Sequence, residues 1–286
     1  YSTKAVAQTL KTYSKFTIDY PYPVAISVHT KWIGMEYPMI CFNGGRPAED
    51  GTYSARTKHG MISVIIHEVG HNFFPMIINS DERQWTWMDE GLNTFVQFLT
   101  EKEFDRDYPS RRGSARNIRE YMGGDKTRIS PIMTNSESIY QFGNNAYGKP
   151  ATALNILRET VMGRDLFDHA FKEYSRRWAF KHPSPADFFR TMEDASGVDL
   201  DWFWRGWFYT TDHVDIAMED IKWMQMDSQN PDVEAAFREA SDARQPEDIT
   251  QLRNANGGVP QSYLEADPTL NDYYTTTGKY EVLELD

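Results

Sequence analysis

Met61-Ile-Ser-Val-Ile-Ile-His-Glu-Val-Gly-His-Asn-Phe-Phe74 is the stretch on which the reading of the chain turns. His67 and His71 stand at i and i+4, so on a helix their side chains share one face, a turn apart. Two imidazoles so placed can share one tetrahedral zinc, and Glu68, beside the first of them, reaches the same space as a base. The residues before the pair are apolar (Met61, Ile62, Val64, Ile65, Ile66). A helix over 58–78 would therefore carry the histidines into a dry setting, where metal electrostatics are strong. The blander reading is a histidine pair in a hydrogen-bonded core.

Eighteen residues separate His71 from Glu90, which lies in Trp87-Met88-Asp89-Glu90-Gly91. That interval can end one helix, turn, and return a second helix, expected over 87–104, beside the first. His67, His71 and Glu90 then make three protein ligands with one open position, the pattern of a catalytic and not a structural zinc site. A structural site wants a fourth ligand, and the single cysteine, Cys41, stands in the wrong context for it. Upstream, 3–15 reads as a helix, and 24–30 and 38–43 as strands. Downstream, helices are expected over 112–122, 145–162, 166–180, 185–195 and 199–209, separated by Gly or Pro. Strands first and helices after make an α+β pattern. From about 213 the texture changes: 215–226 alternates like a strand, 230–258 is polar and partly helical, and the end is again strand-like.

The chain has 286 residues, 40% of them hydrophobic and 25% charged, enough to build a sizeable core. Its net charge of -12 argues against nucleic acid as a partner. No apolar run approaches the ~20 residues of a membrane span. The first residue is Tyr1 and not Met, so a targeting segment can be absent from this sequence, and its compartment stays open.

The motif, its spacing and Glu90 followed by Gly91 together resemble the gluzincin zinc aminopeptidases of the membrane-alanyl-aminopeptidase and leukotriene A hydrolase family. Two further segments resemble it. Gly34-Met35-Glu36-Tyr37, with Glu36 lying 31 residues before His67, is similar to that family's G-A-M-E-N signature, without its first Gly and final Asn. Tyr147, in Asn-Ala-Tyr-Gly-Lys-Pro and 57 residues after Glu90, is similar to its catalytic tyrosine. The likeness covers roughly 1–215, which is expected to be a thermolysin-like catalytic domain, with 216–286 an extension of uncertain fold. The family also carries a β-rich domain ahead of the catalytic one. This chain has no room for it, so a fragment is expected.

The resemblance implies one Zn2+ per chain on His67, His71 and Glu90, with Glu68 as general base. It implies Tyr147 as the hydroxyl that stabilises the oxyanion, with Tyr140 in reserve. Glu36 would anchor the free α-amino group of a peptide substrate, with Gly34 and Met35 lining the cleft and Phe142 walling a pocket. Thr94 is a candidate to support a histidine, and Asp89 reads most simply as a solvated carboxylate. Trp202, Trp204 and Trp207 read as helix packing. The expected reaction is hydrolysis of the N-terminal peptide bond. Alternatives are an endopeptidase, another zinc hydrolase, or a binding fragment without activity.

Overall fold

A computed structural model describes residues 1–31, 33–214, 227–244, 248–259 and 261–270, so the strand-like stretches at 215–226 and at the C-terminal end lie outside the described residues. Helix α1 (Ser2–Phe16) buries Ala5, Val6, Thr9, Tyr13 and Phe16, one face at helical spacing. Strands β1 (Ile26–His29), β2 (Met35–Tyr37) and β3 (Ile40–Asn43) follow. They pair in the order β1-β3-β2, with β3 parallel to β1 and antiparallel to β2. The expected strand 38–43 starts two residues later than its sequence suggests. Met39 adopts φ 65° in a tight reversal that returns β3 against β2 and sets Glu36 opposite Cys41. Glu36 thus rides the short edge strand of the sheet.

Helix α2 (Ala55–Gly70) is capped by Ser54, whose hydroxyl accepts from Thr57 N at 3.1 Å. Ile62, Ile65, Ile66 and Val69 bury its apolar face. The helix was expected to run to 78 but ends at Gly70. Pro75 has no N–H to continue the ladder, and Phe74 takes an extended conformation (φ -129°, ψ 112°). The chain returns through a wide turn at Trp87–Gly91 into α3 (Leu92–Phe104), which packs against α1 and α2.

Helices α4 (Arg119–Gly123), α5 (Lys149–Ile156), α6 (Arg164–Trp178), α7 (Pro185–Ser196) and α8 (Asp201–Trp204) follow, and α5 to α8 continue the same core. Trp87, Phe188, Phe189, Trp204 and Phe208 make an aromatic nest there, with Phe189 and Trp204 stacked at 4.7 Å. Trp204 is therefore core, as its spacing suggests, whereas Trp202 is exposed. A small sheet beside a helical body makes the architecture α+β. Beyond residue 214, α9 (Pro231–Asp242) is largely exposed, while α10 (Ile249–Arg253) packs back on the body. There Glu159, fully buried, takes ion pairs from Arg158, Arg164 and Arg253 at 2.8–3.1 Å. No helix among the described residues is long and apolar enough to cross a membrane.

Candidate active site

The end of α2 and the wide turn before α3 bring His67, His71 and Glu90 together. One ligand atom from each lies within 4.8 Å of the other two. His67 Nε2 is 3.0 Å from Glu90 Oε2 and 3.0 Å from His71 Nε2, and His71 Nε2 is 3.4 Å from the same carboxylate oxygen. These two ring nitrogens and one carboxylate oxygen, already in hydrogen-bond contact with one another, are the donor set of a tetrahedral N,N,O cation site with one position free.

The far side of each ring is held. His67 Nδ1 donates to Gln97 Oε1 at 2.9 Å, which leaves the Nε2 lone pair for a metal. Asn93 Nδ2 donates to the His67 carbonyl at 2.9 Å, and Tyr13 OH donates to Asn93 Oδ1 at 2.7 Å. His71 Nδ1 donates to Phe74 O at 2.8 Å and lies 2.9 Å from Asp89 Oδ1. Burial, and then the neighbouring His71, push the His67 imidazole down from its ordinary value. Burial acts the same way on His71, but its hydrogen bonds to Asp89 and Glu90 outweigh it and raise that ring well above the usual histidine range.

Glu68 is buried beside the triad. An oxygen of Glu68, one of Glu36 and a ring nitrogen of His71 lie within 4.8 Å of one another. Burial, helped by the charges of Glu36 and Glu90 against the pull of His71, pushes the Glu68 carboxyl up to about 8. Gly34 makes the room: a Cβ there would stand 2.5 Å from Glu68 Oε1. Tyr147 OH donates to Glu90 Oε1 at 2.6 Å, and its ring lies alongside His67. Burial first, then Glu90, raise the Tyr147 phenol, so it stays protonated and able to donate.

The structure therefore brings His67, Glu68, His71, Glu90, Tyr147 and Glu36 to one place, with Gly34 against Glu68 and Met35 next to Glu36 on β2. Tyr140 is exposed, whereas Phe142 packs edge-on against Tyr147 at 5.9 Å. Two expectations change. Asp89 is not solvated: it is buried against His71, because the wide turn directs consecutive side chains 89 and 90 inward. Thr94 meets neither histidine, and its buried hydroxyl has no hydrogen-bond partner. Asn93 and Gln97 hold His67 instead. Their signal was present in the sequence as polar residues three and seven positions after Glu90, on one face of the helix.

Residues 1–207 match the model of the peptidase family M1 domain. Glutamyl aminopeptidase of Sus scrofa is 22% identical over 77% of this chain and 24% of its own length. Aminopeptidase 2 of Candida albicans is 21% identical over 97% of this chain and 32% of its own length. The chain thus spans about a quarter to a third of the length of these two relatives. Among solved structures, an M1 zinc metallopeptidase from Deinococcus radiodurans superposes with a TM-score of 0.57 at 19% identity, over 74% of this chain and 45% of that one. With the family model covering most of the chain, this protein belongs to peptidase family M1.

Proposed function

We propose that residues 1–215 are a thermolysin-like zinc peptidase domain, with 216–286 an extension of it, and that the domain removes the N-terminal residue of peptides. The observation that carries the aminopeptidase reading is Glu36 on an edge strand, next to Glu68 and His71. Two carboxylates this close repel each other when both are ionised, and a cation between or beside them relieves the repulsion. A substrate ammonium held by Glu36 through charge-assisted hydrogen bonds would set the first peptide carbonyl over the His67–His71–Glu90 cluster.

His67, His71 and Glu90 would hold a zinc ion, which would supply a Lewis acid to polarise the carbonyl and acidify water. Glu68 takes the proton from the attacking water and delivers it to the departing amine. Tyr147, whose hydroxyl faces the cluster, donates to the carbonyl oxygen as negative charge collects there. Gln97, Asp89 and the Phe74 carbonyl fix the imidazoles while this happens, and Asn93 fixes the His67 backbone.

Aminoacyl chromogenic amides, each offered with a free and an acetylated amine, test the reading. Cleavage of the free-amine series alone, lost on chelation and restored by zinc, is expected. Equal cleavage of acetylated substrates would overturn the role of Glu36 and favour an endopeptidase. No cleavage with zinc bound would favour a fragment that only binds.

A further inference from the structure

A cavity of about 1080 Å³ opens beside the proposed catalytic pair. His67, Glu68 and Tyr147 line it at the metal end, and Arg56, Arg111 and Arg112 line it as well. Glu36 and His71 do not. The amine anchor is thus next to Glu68 but outside the cavity that Glu68 lines. A peptide with its ammonium at Glu36 and its first carbonyl at the cluster would send its remaining residues into the cavity.

Three arginines and three acids, Glu68, Glu101 and Asp107, line the cavity, so it lacks the acidic excess of the chain as a whole. Acidic residues outnumber basic ones 42 to 30 in the chain, yet among the described residues none of these three arginines is in an ion pair. Arg112 is half-buried, with its guanidinium 4.4 Å above the centroid of the Tyr147 ring. One aromatic ring therefore separates it from the hydroxyl that touches Glu90. An extended peptide advances about 3.3–3.6 Å per residue, so a carboxylate one or two residues past a carbonyl held at the Tyr147 hydroxyl is on the scale of the step across that ring to Arg112. A half-buried guanidinium keeps its charge and gains most from a planar, bidentate partner. The acids in the cavity do not supply one. Glu101 is buried, accepts from Ser63 Oγ at 2.9 Å and Gln97 Nε2 at 2.8 Å, and is pushed up toward its neutral form by burial. Asp107 is exposed.

We propose that this cavity is a carboxylate-binding subsite for the leaving side of the substrate, anchored by Arg112. It selects either the free C-terminus of a di- or tripeptide or an acidic side chain directly after the cleaved bond. The proposal rests on the peptidase reading above, and its test separates the two. Isothermal titration of the zinc-loaded Glu68→Gln protein with Ala-Ala, Ala-Ala amide, Ala-Glu amide and Ala-Gln amide reads the subsite without turnover. Binding of Ala-Ala about 10- to 100-fold tighter than its amide is expected, as for a charge-assisted contact. A preference for Ala-Glu amide over Ala-Gln amide would assign the site to the side chain instead.

Arg112→Gln in that background should abolish either preference, and Arg112→Lys should keep part of it. In the active protein, Arg112→Gln should lower kcat/KM for the favoured carboxylate substrate by a larger factor than for an aminoacyl chromogenic amide. Equal binding of acid and amide forms overturns the subsite, whether or not any peptide is cut. Equal loss on both substrate types also overturns it, leaving Arg112 as a prop for the Tyr147 ring. Selective binding with no turnover in the active protein would uphold the subsite and sink the peptidase reading alone.

Discussion

Asp89 and Glu90 are neighbours in sequence that titrate in opposite directions. Burial pushes the Asp89 carboxyl up to about 8, only partly offset by its contact with His71. Burial acts on Glu90 too, but hydrogen bonds from His67 and His71 overcome it and hold that carboxyl below the usual range. Glu90 is thus kept anionic, as the proposed ligand role requires, while Asp89 shares its ionisation with the ring it steadies. Asp89→Asn should keep the fold and weaken zinc binding about 10- to 100-fold, as loss of a group supporting a ligand does elsewhere. Competition with a chromogenic chelator reads this directly, and unchanged affinity would mean that the Phe74 carbonyl suffices to orient His71. Glu68→Gln is expected to behave differently. It should retain one zinc per chain by elemental analysis and lose about 10²- to 10⁴-fold in turnover, the usual weight of a general base. Loss of the metal along with the activity would place Glu68 among the ligands.

Glu90 and Tyr147 both sit in wide, i+5 turns that open directly into a helix, at Trp87–Gly91 before α3 and Gly143–Gly148 before α5. Such turns shift the face that a helix presents, and they recur at functional sites. Here they let two helices aim a carboxylate and a phenol at one point. Gly91 serves the same junction, since a Cβ there would meet Pro150 Cγ at 2.6 Å. Gly70 is the tightest contact of α2: a Cβ would run into Tyr13 OH and Asn93 Oδ1, the pair whose hydrogen bonds hold the His67 backbone. Gly70→Ala should therefore cost about 1–3 kcal/mol in urea unfolding, as overpacked cores do, and should weaken zinc binding as well. A variant that loses stability but binds zinc normally would show that the Tyr13–Asn93 link is packing alone. The same contrast marks what the sequence could reveal. The spacing of His67, His71 and Glu90 is local chemistry on helices and was readable, and so was the helical character of 87–104. The end of α2 at Gly70 was not, because the apolar pattern runs on through Phe73, Phe74 and Ile77, which are buried by the return turn and not by a helix. The burial of Asp89 needed the turn geometry, which no periodicity announces.

At the scale of the whole molecule, stability depends on charges set inside the body, and Lys149 offers the cleanest reading of one. It begins α5, is almost wholly buried, and donates to Thr210 O at 3.3 Å, tying that helix to the chain after the aromatic nest. Burial, and then the nearby Lys126, push its ammonium from the ordinary 10.5 down to about 8, with Asp212 pulling weakly the other way. A lysine depressed on folding binds its proton more weakly in the native than in the unfolded chain. Between pH 8 and 10.5 the unfolded state holds the extra proton, so the Lys149 contribution makes stability rise with pH through that window. Below pH 8 both states are protonated and the cost of the buried charge is fully present. It corresponds to ~3 kcal/mol, against which the bond to Thr210 returns ~1 kcal/mol. Lys149→Met, similar in length and without the charge, should thus unfold at higher urea than the parent at pH 7, by ~1–2 kcal/mol, and the advantage should vanish near pH 10.5. Both proteins must be compared in the same zinc-loaded state, since bound metal adds its own stabilisation. An advantage that is equal at both pH values would trace to packing and not to charge. A destabilised variant at pH 7 would mean that the Lys149–Thr210 link outweighs the cost of burying the ammonium.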